Sequence, residues 1–482
     1  MLATTTRRLA TGIRRGFADR PFFESSPSRV SISSFLALPS QHGNVDEPAV
    51  LCGRVCTSLR RMSKDVCFFH IESEGARVQV MADLRHALQR DDFAQCVQAL
   101  NRGDVVQVKG VAHTTKTGEL SLRPSEMLVL SPCTRLADYG QAYDGKNRIA
   151  DTGFLHRHRE VELLTGGAAS RQVFVQRFKA VHALRCLLID DGYVEVETPI
   201  LQAQAGGAYA KAFKTTERGL SLRIAPELAL KRLVVGGFDR VFELGKVFRD
   251  EGLSPRHNPE FTSCEAYRAY ASLDDMAALS QRALRAMGEA MGVVDLSALQ
   301  QPLGVVSVAD ELAKLGVAFD DAESMAPVRL VRACERAGVA ASAAMSVPKL
   351  LDALVGAKVE PLCRPEVPTL IVEHPIALSP LARASSRPGV AQRFELFWHG
   401  VELCNAYGEL ADPAEQRRRF QEQARISGKG DAEAQLLDED FCVALEHGMP
   451  PTAGWGLGVD RAIMELLGKR SIKDVVFFPL TR

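Results

Sequence analysis

Apolar and polar residues alternate in five short runs between residues 49 and 132 of the chain. AVLCGRVCTS, VCFFHIES and ARVQVMAD come first, the less regular LRHALQRDDFAQCVQALNRG follows, and DVVQVKGVAHTT and ELSLRPSEMLVLSP close the region. Alternation with a period of two predicts strands with one buried face, whereas the longer run between them is typical of a helix. The pattern therefore predicts three strands, a helix and two further strands.

The order of these elements indicates a particular fold. Three strands, a helix and two strands is the order of an OB-fold barrel, which we predict over residues 28–134. Such barrels commonly bind single-stranded nucleic acid by stacking bases on aromatic side chains. Phe68, Phe69 and Gln79 are candidates for the binding face. Because adjacent strand positions point to opposite faces, we expect at most one of the two phenylalanines to belong to the core.

A polar stretch without apolar periodicity follows, and it predicts a linker over residues 135–150. Beyond the linker, apolar residues recur at helical spacing from Phe174 to Leu188. This spacing predicts a helix over residues 171–191 with one apolar stripe, which ends at Gly192. The stripe consists of Phe174, Phe178, Val181, Leu184 and Leu188.

Residues 151–482 form the second predicted domain. Its extended runs include RVFELGKVFRDEG, FTSCEAYRAYAS, RFELFWHGVELCNAYGEL and the closing KDVVFFPL. Helical stretches near 275–292, 412–425 and 460–468 interrupt them. Long strands without regular βαβ repetition predict a largely antiparallel sheet flanked by helices, which is an α+β fold.

Composition excludes several other classes of protein. No run of eighteen apolar residues occurs, so we expect no membrane-spanning helix. The eleven cysteines include no CxxC pair, which argues against a zinc knuckle or a secreted disulfide framework. The formal net charge of zero does not indicate a nucleic-acid-binding protein, although a local basic surface remains compatible with it.

The first eighteen residues contain four arginines and neither Asp nor Glu. This composition is typical of an organellar transit peptide, which we predict over residues 1–27 as a cleaved or disordered segment. The absence of a long apolar core argues against a secretory signal. We expect a mitochondrial protein, with a plastid or a dual organellar and cytosolic location as the alternative; a disordered basic tail is the other interpretation of the segment.

Two segments carry the residues that are best suited to chemistry: FRDEGLSPRHNPEFT at 248–262 and GWGLGVDRAIME at 454–465. Arginines of the first segment can hold phosphate groups through charge-assisted hydrogen bonds. Glycines of the second allow a ligand to approach the backbone, and Arg461 opens the following helix. Either segment alone is weak support for a ligand-binding site, because an Arg-Asp-Glu cluster is more often a surface ion-pair network.

Together and in this order, the two segments resemble motifs 2 and 3 of class II aminoacyl-tRNA synthetases. GYVEVETPIL at 192–201 resembles motif 1, in which the position of Pro199 lies at the dimer interface. Neither a GxxxxGK[ST] segment nor a dinucleotide-binding glycine pattern occurs, so other common ATP-binding folds are not indicated.

The resemblance narrows to the lysyl enzymes and covers the chain from about residue 48 to the C-terminus. It rests on GGAYAKAF, LRIAPELALKRLVVGGFDRVFELGKVFRDEG, HNPEFTSCEAYRAY, HPIALSPLA, RFELFWHGVELCNAYGEL and PPTAGWGLGVDR, in that order. It implies a homodimeric lysine–tRNA ligase that activates L-lysine with ATP and transfers it to tRNA(Lys). The OB-fold would bind the anticodon, and Arg54, Phe68, Gln79 and Glu126 match the positions that read its central uridine.

The same resemblance assigns the ATP-binding residues. Arg249 would bind the α-phosphate as the lysine carboxylate attacks, and Arg461 would lie against the adenine and reach the γ-phosphate. Phe261 would stack on the other face of the adenine. The further ATP-binding positions that it implies are Glu251, His257, Asn258 and Glu402.

Glu402 and Glu409 match the acids that hold Mg²⁺ against the ATP phosphates in the family that this chain resembles. Carboxylate oxygens suit this ion, which usually keeps several waters. A spacing of seven places the two side chains on opposite faces of a regular strand, so a bulge or bend between them is required.

The amino-acid pocket distinguishes lysyl enzymes from their aspartyl and asparaginyl neighbours, because a lysine ammonium requires carboxylates where an aspartate would require a cation. Glu227, Tyr267, Tyr407 and Glu409 match the contacts to the lysine side chain. Gly207, Glu265 and Asn405 match the positions around the amino group and backbone. Taken alone, Glu227 would be interpreted as an exposed charge at a helix start and Tyr267 as a half-buried sheet residue.

Two other functions are compatible with the catalytic motifs. A relative that loads lysine onto a protein would lack the OB-fold, and a scaffold that has lost catalysis would lack several of the charged motif residues, all of which are present. The chain departs from the usual lysyl pattern at four positions to which no chemistry is assigned. These are Ala229, Asp250, Gly408 and Ala411.

Overall fold

The structure is a computed structural model that describes residues 29–37, 47–135, 149, 151–428, 431 and 433–481. The chain forms two compact units, residues 1–171 and 172–482. The predicted transit peptide at 1–27 lies outside the described residues, as does the predicted linker except for its positions 135 and 149. Among the residues that are described, no helix combines the length and apolar character that crossing a membrane requires.

The first unit is built on a small sheet. Its strands are β1 (Ala49–Val55), β2 (Arg60–Arg61), β3 (Val66–Ser73), β4 (Ala76–Asp83), β5 (Val105–Thr114) and β6 (Leu120–Ser131). Its helices are α1 (Ile32–Leu36), α2 (Arg90–Ala99), α3 (Thr152–Arg157) and α4 (Arg159–Thr165).

This sheet closes into a barrel. The strand order is β1-β5-β6-β4-β3-β2, and β1 also pairs with β3, so five strands form a ring with the short β2 at its side. Alternate residues point inward, and Leu51, Phe69 and Val80 belong to the buried core. The helix α2 lies between β4 and β5 along the chain, and the predicted OB-fold is confirmed.

The second unit contains the larger sheet. Its strands are β7 (Val194–Glu195), β8 (Leu201–Gln202), β9 (Ser221–Leu222), β10 (Arg240–Phe248), β11 (Glu260–Ala269), β12 (Gly304–Ser307), β13 (Thr369–Val372), β14 (Arg393–Trp398), β15 (Val401–Gly408) and β16 (Thr452–Gly458). Its helices are α5 (Gly167–Asp190, which begins in the first unit), α6 (Glu227–Val235), α7 (Leu273–Met291), α8 (Val308–Ala313), α9 (Pro327–Arg336), α10 (Val347–Lys358), α11 (Pro413–Gly428), α12 (Glu439–Glu446) and α13 (Val459–Leu466).

Eight strands form the main sheet in the order β12-β13-β14-β15-β16-β11-β10-β7. The pairings are antiparallel except at the two ends, where β12 runs parallel to β13 and β7 parallel to β10. Helices pack on the sheet, and Phe242 and Trp455 are buried between them. The predicted α+β fold with a largely antiparallel sheet is therefore confirmed.

Local signals explain where the helices begin and end. The helix α7 begins at a capping box formed by Ser272 and Asp275, and it ends at Gly292, whose φ of 74° suits glycine. Similarly, Gly192 follows α5 with a φ of 82°. These boundaries agree with the predicted ones to within a few residues.

Three regions differ from the sequence-based expectations. On α5, Phe174, Leu184 and Leu188 are buried as predicted, but Phe178 is 68% exposed. The closing run KDVVFFPL is not a strand; its first residues lie in a short 3₁₀ turn. No helix or strand was predicted over residues 303–363, although α8, α9 and α10 pack there around their own apolar cluster.

Candidate active site

A cavity of about 680 Å³ opens on the face of the large sheet. Its walls come mainly from β11, β14, β15 and β16, from α10, and from the loop that follows β10. The predicted nucleotide and amino-acid residues converge on it from distant parts of the chain. Those that line it are Gly207, Glu227, Arg249, Glu251, His257, Asn258, Phe261, Glu265, Tyr267, Glu402, Asn405, Tyr407 and Arg461.

Arg461 organises one end of the cavity. It is the third residue of α13, which continues directly from β16, so its side chain reaches back over the sheet. Its Nη1 donates to Glu402 Oε2 at 3.1 Å, and its Nη2 lies 2.9 Å from His257 Nε2. Burial and the neighbouring guanidinium lower the pKa of His257, so the neutral ring accepts this hydrogen bond.

Arg249 and Phe261 lie beside each other near the turn that joins β10 to β11. The two strands pair as a hairpin, and Arg249 N donates to the carbonyl of Pro259 at 2.9 Å. The guanidinium carbon of Arg249 lies 5.3 Å from the centroid of the Phe261 ring, which is a cation–π contact. An aromatic face and a cation are thus available together for a nucleotide.

Asn258 is already hydrogen bonded within the protein. Its Nδ2 donates to the carbonyl of Glu260 at 2.6 Å, and its Oδ1 accepts from Leu480 N at 3.3 Å. The residue is 7% exposed. Asn258 therefore stabilises the loop between β10 and β11 through these two hydrogen bonds.

Carboxylates and tyrosines converge at the other end of the cavity. Glu227 begins α6 and is buried, so the interpretation of an exposed helix-start charge is wrong. Tyr267 is also buried rather than half-buried, and its hydroxyl donates to Glu265 Oε2 at 3.1 Å. Burial and the charge of Glu227 raise the pKa of Glu265 to about 8. This end of the cavity is therefore acidic and walled by aromatic rings.

Glu402 and Glu409 are not placed as a metal-binding pair. The required irregularity exists, because Leu396 pairs with Cys404 while Phe397 pairs with Glu402, which leaves Leu403 as an extra residue in β15. Glu402 lines the cavity, but Glu409 does not. Glu409 is 1% exposed, and its carboxylate forms an ion pair with the buried Lys231. The structure thus corrects the assignment of Glu409 as a metal ligand.

Glu395 lines the cavity as Glu402 does, and it is the carboxylate with the largest effect on the pKa of Glu402. Burial and the Glu395 charge together raise the pKa of Glu402. Glu395 lies opposite Asn405 in the pairing of β14 with β15, and it contacts Arg393. Sequence reasoning missed it, although the alternation of FELFW together with the assigned Asn405 could have indicated it.

The described residues do not by themselves complete a metal site. Across the described parts of the chain, no group of three or more His, Cys, Asp or Glu side chains is arranged to hold an ion. Glu395 and Glu402 supply hard carboxylate oxygens of the type that Mg²⁺ prefers. The pair fits an ion that takes its remaining ligands from water and phosphate.

The outer face of the barrel carries the predicted RNA-binding residues. Phe69 is buried in the core and Phe68 lies outside it, as strand alternation requires. Phe68 and Gln79 share that outer face on neighbouring strands, where Phe68 pairs with Met81 and Gln79 with His70. On its other side Phe68 pairs with the exposed Arg60 of β2, a residue that sequence analysis did not select.

The other two predicted anticodon residues have partners within the barrel. Arg54 on β1 donates from Nη1 to the carbonyl of Gly103 at 2.7 Å. Glu126 on β6 is exposed and contacts Lys109 Nζ at 2.7 Å. Arg60 is therefore better placed than Arg54 to act beside Phe68, since it lies directly across from that ring.

Comparisons with known proteins agree with this arrangement. Residues 155–482 match the family described as tRNA synthetases class II (D, K and N), and residues 49–130 match an OB-fold nucleic acid binding domain. A lysine–tRNA ligase from Synechococcus sp. (strain CC9311) is 40% identical over 90% of this chain and 88% of its own length. A probable cytoplasmic lysine–tRNA ligase from Encephalitozoon cuniculi (strain GB-M1) is 39% identical over 87% of this chain and 85% of its own length. A lysine–tRNA ligase from Nostoc punctiforme is 37% identical over 91% of this chain and 80% of its own length.

The antiparallel sheet, the arginine-rich nucleotide end and the family match over most of the large unit define a class II tRNA synthetase. Within that class, the chain belongs to the lysine–tRNA ligase family, since relatives of that name match it over most of both lengths.

Proposed function

We propose that this protein activates L-lysine with ATP to form lysyl-adenylate and then transfers the lysine to the 3′ end of tRNA(Lys). The observation that carries the proposal is one cavity with two different ends. Arg249 and Arg461 supply positive charge at one end, and Glu227 and Glu265 supply buried carboxylates at the other. ATP phosphates fit the first end, and the ammonium groups of lysine fit the second.

Activation joins the two substrates without a protein nucleophile. The lysine carboxylate oxygen attacks the α-phosphorus of ATP, and pyrophosphate leaves from the opposite side. Arg249 compensates the negative charge that develops on the α-phosphate oxygens, while Phe261 fixes the base by stacking. Arg461 holds the far phosphates, supported by its contacts with Glu402 and His257. Catalysis of this kind rests on positioning and electrostatics.

Glu402, with Glu395 in place of Glu409, would hold Mg²⁺ in this cavity. The ion, when bound, neutralises phosphate charge next to the reacting group. The two carboxylates already share the cavity wall and influence each other's protonation. A higher Mg²⁺ concentration needed for half-maximal ATP–pyrophosphate exchange in Glu395→Gln, but not in Glu409→Gln, would support the corrected pair, and the reverse result would restore the original one.

The OB-fold unit would bind the anticodon of tRNA(Lys) through the outer face of its barrel. Phe68 offers a ring for base stacking, Gln79 offers amide groups, and Arg60 offers a cation beside the ring. We expect Phe68→Ala to weaken aminoacylation of tRNA while ATP–pyrophosphate exchange stays at the wild-type rate. An equal fall in both activities would contradict this role.

The large unit would form a homodimer through the motif 1 region around Pro199. Apolar side chains that a soluble monomer would bury are exposed on one face of α5 and in the segment that follows it. These are Val175, Phe178, Ile189, Val194, Ile200 and Leu201. Light scattering after gel filtration should report a dimer for the wild type and a monomer for Phe178→Glu; a wild-type monomer would overturn the proposal.

The protein would act in mitochondria, with plastids or a dual location as the alternative. The composition of residues 1–27 supports import, since arginines and hydroxyl residues occur without acidic ones before Asp19. Fusion of the first thirty residues to a fluorescent reporter tests this directly. A cytosolic signal would refute the transit peptide.

Amino-acid-dependent ATP–pyrophosphate exchange tests the proposed function as a whole. We expect exchange with lysine and none with aspartate, asparagine or buffer alone. Exchange with aspartate would agree with a class II synthetase but would contradict lysine as the substrate. No exchange with any amino acid would favour a scaffold protein that has lost catalysis. Transfer of labelled lysine to tRNA, and not to protein, would then exclude a protein-modifying relative.

A further inference from the structure

A protein ammonium group already lies between two of the carboxylates that are assigned to the lysine side chain. Lys231 Nζ is 2.7 Å from Glu227 Oε1 and also forms an ion pair with Glu409. Glu227 and Lys231 are four residues apart in α6, so they occupy the same face of the helix. Glu409 follows β15, far away in sequence.

Lys231 has no access to solvent. Its side chain is fully buried, and it does not line the cavity but lies behind Glu227. The ring of Phe441 lies 6.0 Å from its Nζ, and apolar residues of α6 and α12 surround it. Burying an ammonium costs several kcal/mol unless it is paired. Burial lowers the pKa of Lys231, but Glu227 and Glu409 outweigh that effect, so the group stays charged.

Glu409 is left with capacity for another donor. The residue is 1% exposed, and neither of its carboxylate oxygens has a hydrogen bond of normal geometry despite the ion pair with Lys231. A buried carboxylate in this state is costly, because each oxygen normally accepts one or two hydrogen bonds. A second ammonium that entered from the cavity would satisfy it.

The charges in this group add to a simple total. Burial raises the pKa of both Glu409 and Glu265 to about 8, and the ammonium of Lys231 opposes that rise at Glu409. With Glu227 and Glu409 ionised, two negative charges face the one positive charge of Lys231. One negative charge then remains for the ε-ammonium of the substrate.

We infer that Lys231 is a positioning residue for lysine recognition: it holds Glu227 and Glu409 as an ionised pair with the capacity for one further ammonium group. The inference rests on the proposed function, because it takes the cavity to be the lysine pocket. Without Lys231, two buried carboxylates would face each other and share a proton, and the pair would then offer the substrate a donor where it needs an acceptor.

Lys231→Met is the direct test, because methionine has a similar length and no charge. We expect the KM for lysine to rise at least about tenfold, the loss typical of one charge-assisted hydrogen bond. The KM for ATP should stay within about twofold, since the nucleotide end does not involve this residue. Lys314→Met, which removes an exposed lysine of the α8 region, serves as the matched control.

A double variant keeps the test decisive if Lys231→Met does not fold. In Lys231→Met/Glu409→Gln the buried charge of both partners is removed, so folding is less at risk. Because Lys231 acts through the carboxylates, this double variant should bind lysine within about threefold of Glu409→Gln in calorimetry. A much weaker double variant would overturn the inference.

The KM for lysine in Lys231→Met can also contradict the inference. An unchanged KM for lysine in Lys231→Met, even with a lower melting temperature, would reduce Lys231 to a structural residue and overturn the inference. Wild-type exchange with lysine is measured first, so failure of the proposed function is recognised separately from failure of this assignment.

Discussion

A methyl group added at Gly454 should damage the lysine end of the cavity and leave the nucleotide end intact. Gly454 lies in β16 between Tyr267 on β11 and Tyr407 on β15. The Cβ of an alanine there would lie 2.0 Å from Glu409 Oε1 and 2.5 Å from Tyr267 Cε1. Both distances are below van der Waals contact, so both side chains would have to move.

The magnitude follows from the packing. Forcing an extra methyl group into a filled core typically costs about 1–3 kcal/mol of unfolding free energy. Displacement of Glu409 would also weaken its contact with the substrate ammonium, and a hydrogen bond to a charged group is worth roughly 1.5–3 kcal/mol. We therefore expect kcat/KM for lysine to fall roughly 10- to 100-fold in Gly454→Ala, with the KM for ATP nearly unchanged.

Gly458→Ala provides the matched control for stability in the same strand. Its added Cβ would meet Leu403 O at 3.6 Å and Arg461 Cβ at 3.7 Å, which are ordinary contacts. Chemical denaturation should therefore show a loss for Gly454→Ala that Gly458→Ala lacks. Equal stabilities, or a wild-type KM for lysine in Gly454→Ala, would refute the packing argument.

Three further variants test other parts of the site. Arg249→Ala should lower adenylate formation at least about 100-fold while the protein stays folded and dimeric; near-normal exchange would remove Arg249 from catalysis. Lysine binding near pH 7 should release a proton from Glu265, whose pKa is raised to about 8, because the substrate ammonium favours the carboxylate form. Calorimetry in buffers of different ionisation enthalpy should detect this release in the wild type and should lose it well above pH 8. The release should be smaller in Glu265→Gln, where Glu409, whose pKa is also raised to about 8, remains as a second proton source. Arg177→Ala should cost about 3–5 kcal/mol in denaturant unfolding, since Arg177 Nη1 lies 2.5 Å from the buried Asp460 Oδ1 and its removal takes away the charged partner of that carboxylate, which keeps only its hydrogen bond from Thr262 N. A loss below about 1 kcal/mol would contradict this.

Much of the fold could be predicted because its signals are local. The period-two alternation of the N-terminal runs indicated the barrel, since each strand buries one face regardless of its partner. The glycine after α5 marked the end of that helix for the same reason. The helical region at 303–363 was missed because its helices are short, with 6, 10 and 12 residues, and gain their stability mainly from packing on one another.

The status of Phe178 shows a limit of pattern analysis. Its spacing fits the apolar stripe of α5, yet it is exposed while Phe174 is buried. Helical periodicity identifies an apolar side chain and the approximate face on which it lies. It does not say whether the surface opposite that face belongs to the same chain.

The sequence by itself determined which residues are available for chemistry. The resemblance of its motifs to those of class II lysyl synthetases identified most of the arginines, tyrosines and carboxylates that line the cavity, because these residues stand at fixed places within the motifs.

Which acidic residues line the cavity, and which one pairs with Lys231, depends on the tertiary structure. Glu409 pairs with the buried Lys231 behind the cavity, whereas Glu395 lines the cavity together with Glu402. The bulge at Leu403 and the packing of α6 against the sheet cause this arrangement. Alternation along one strand defines two faces, but which charged group arrives opposite a given face depends on strands and helices that are distant in sequence.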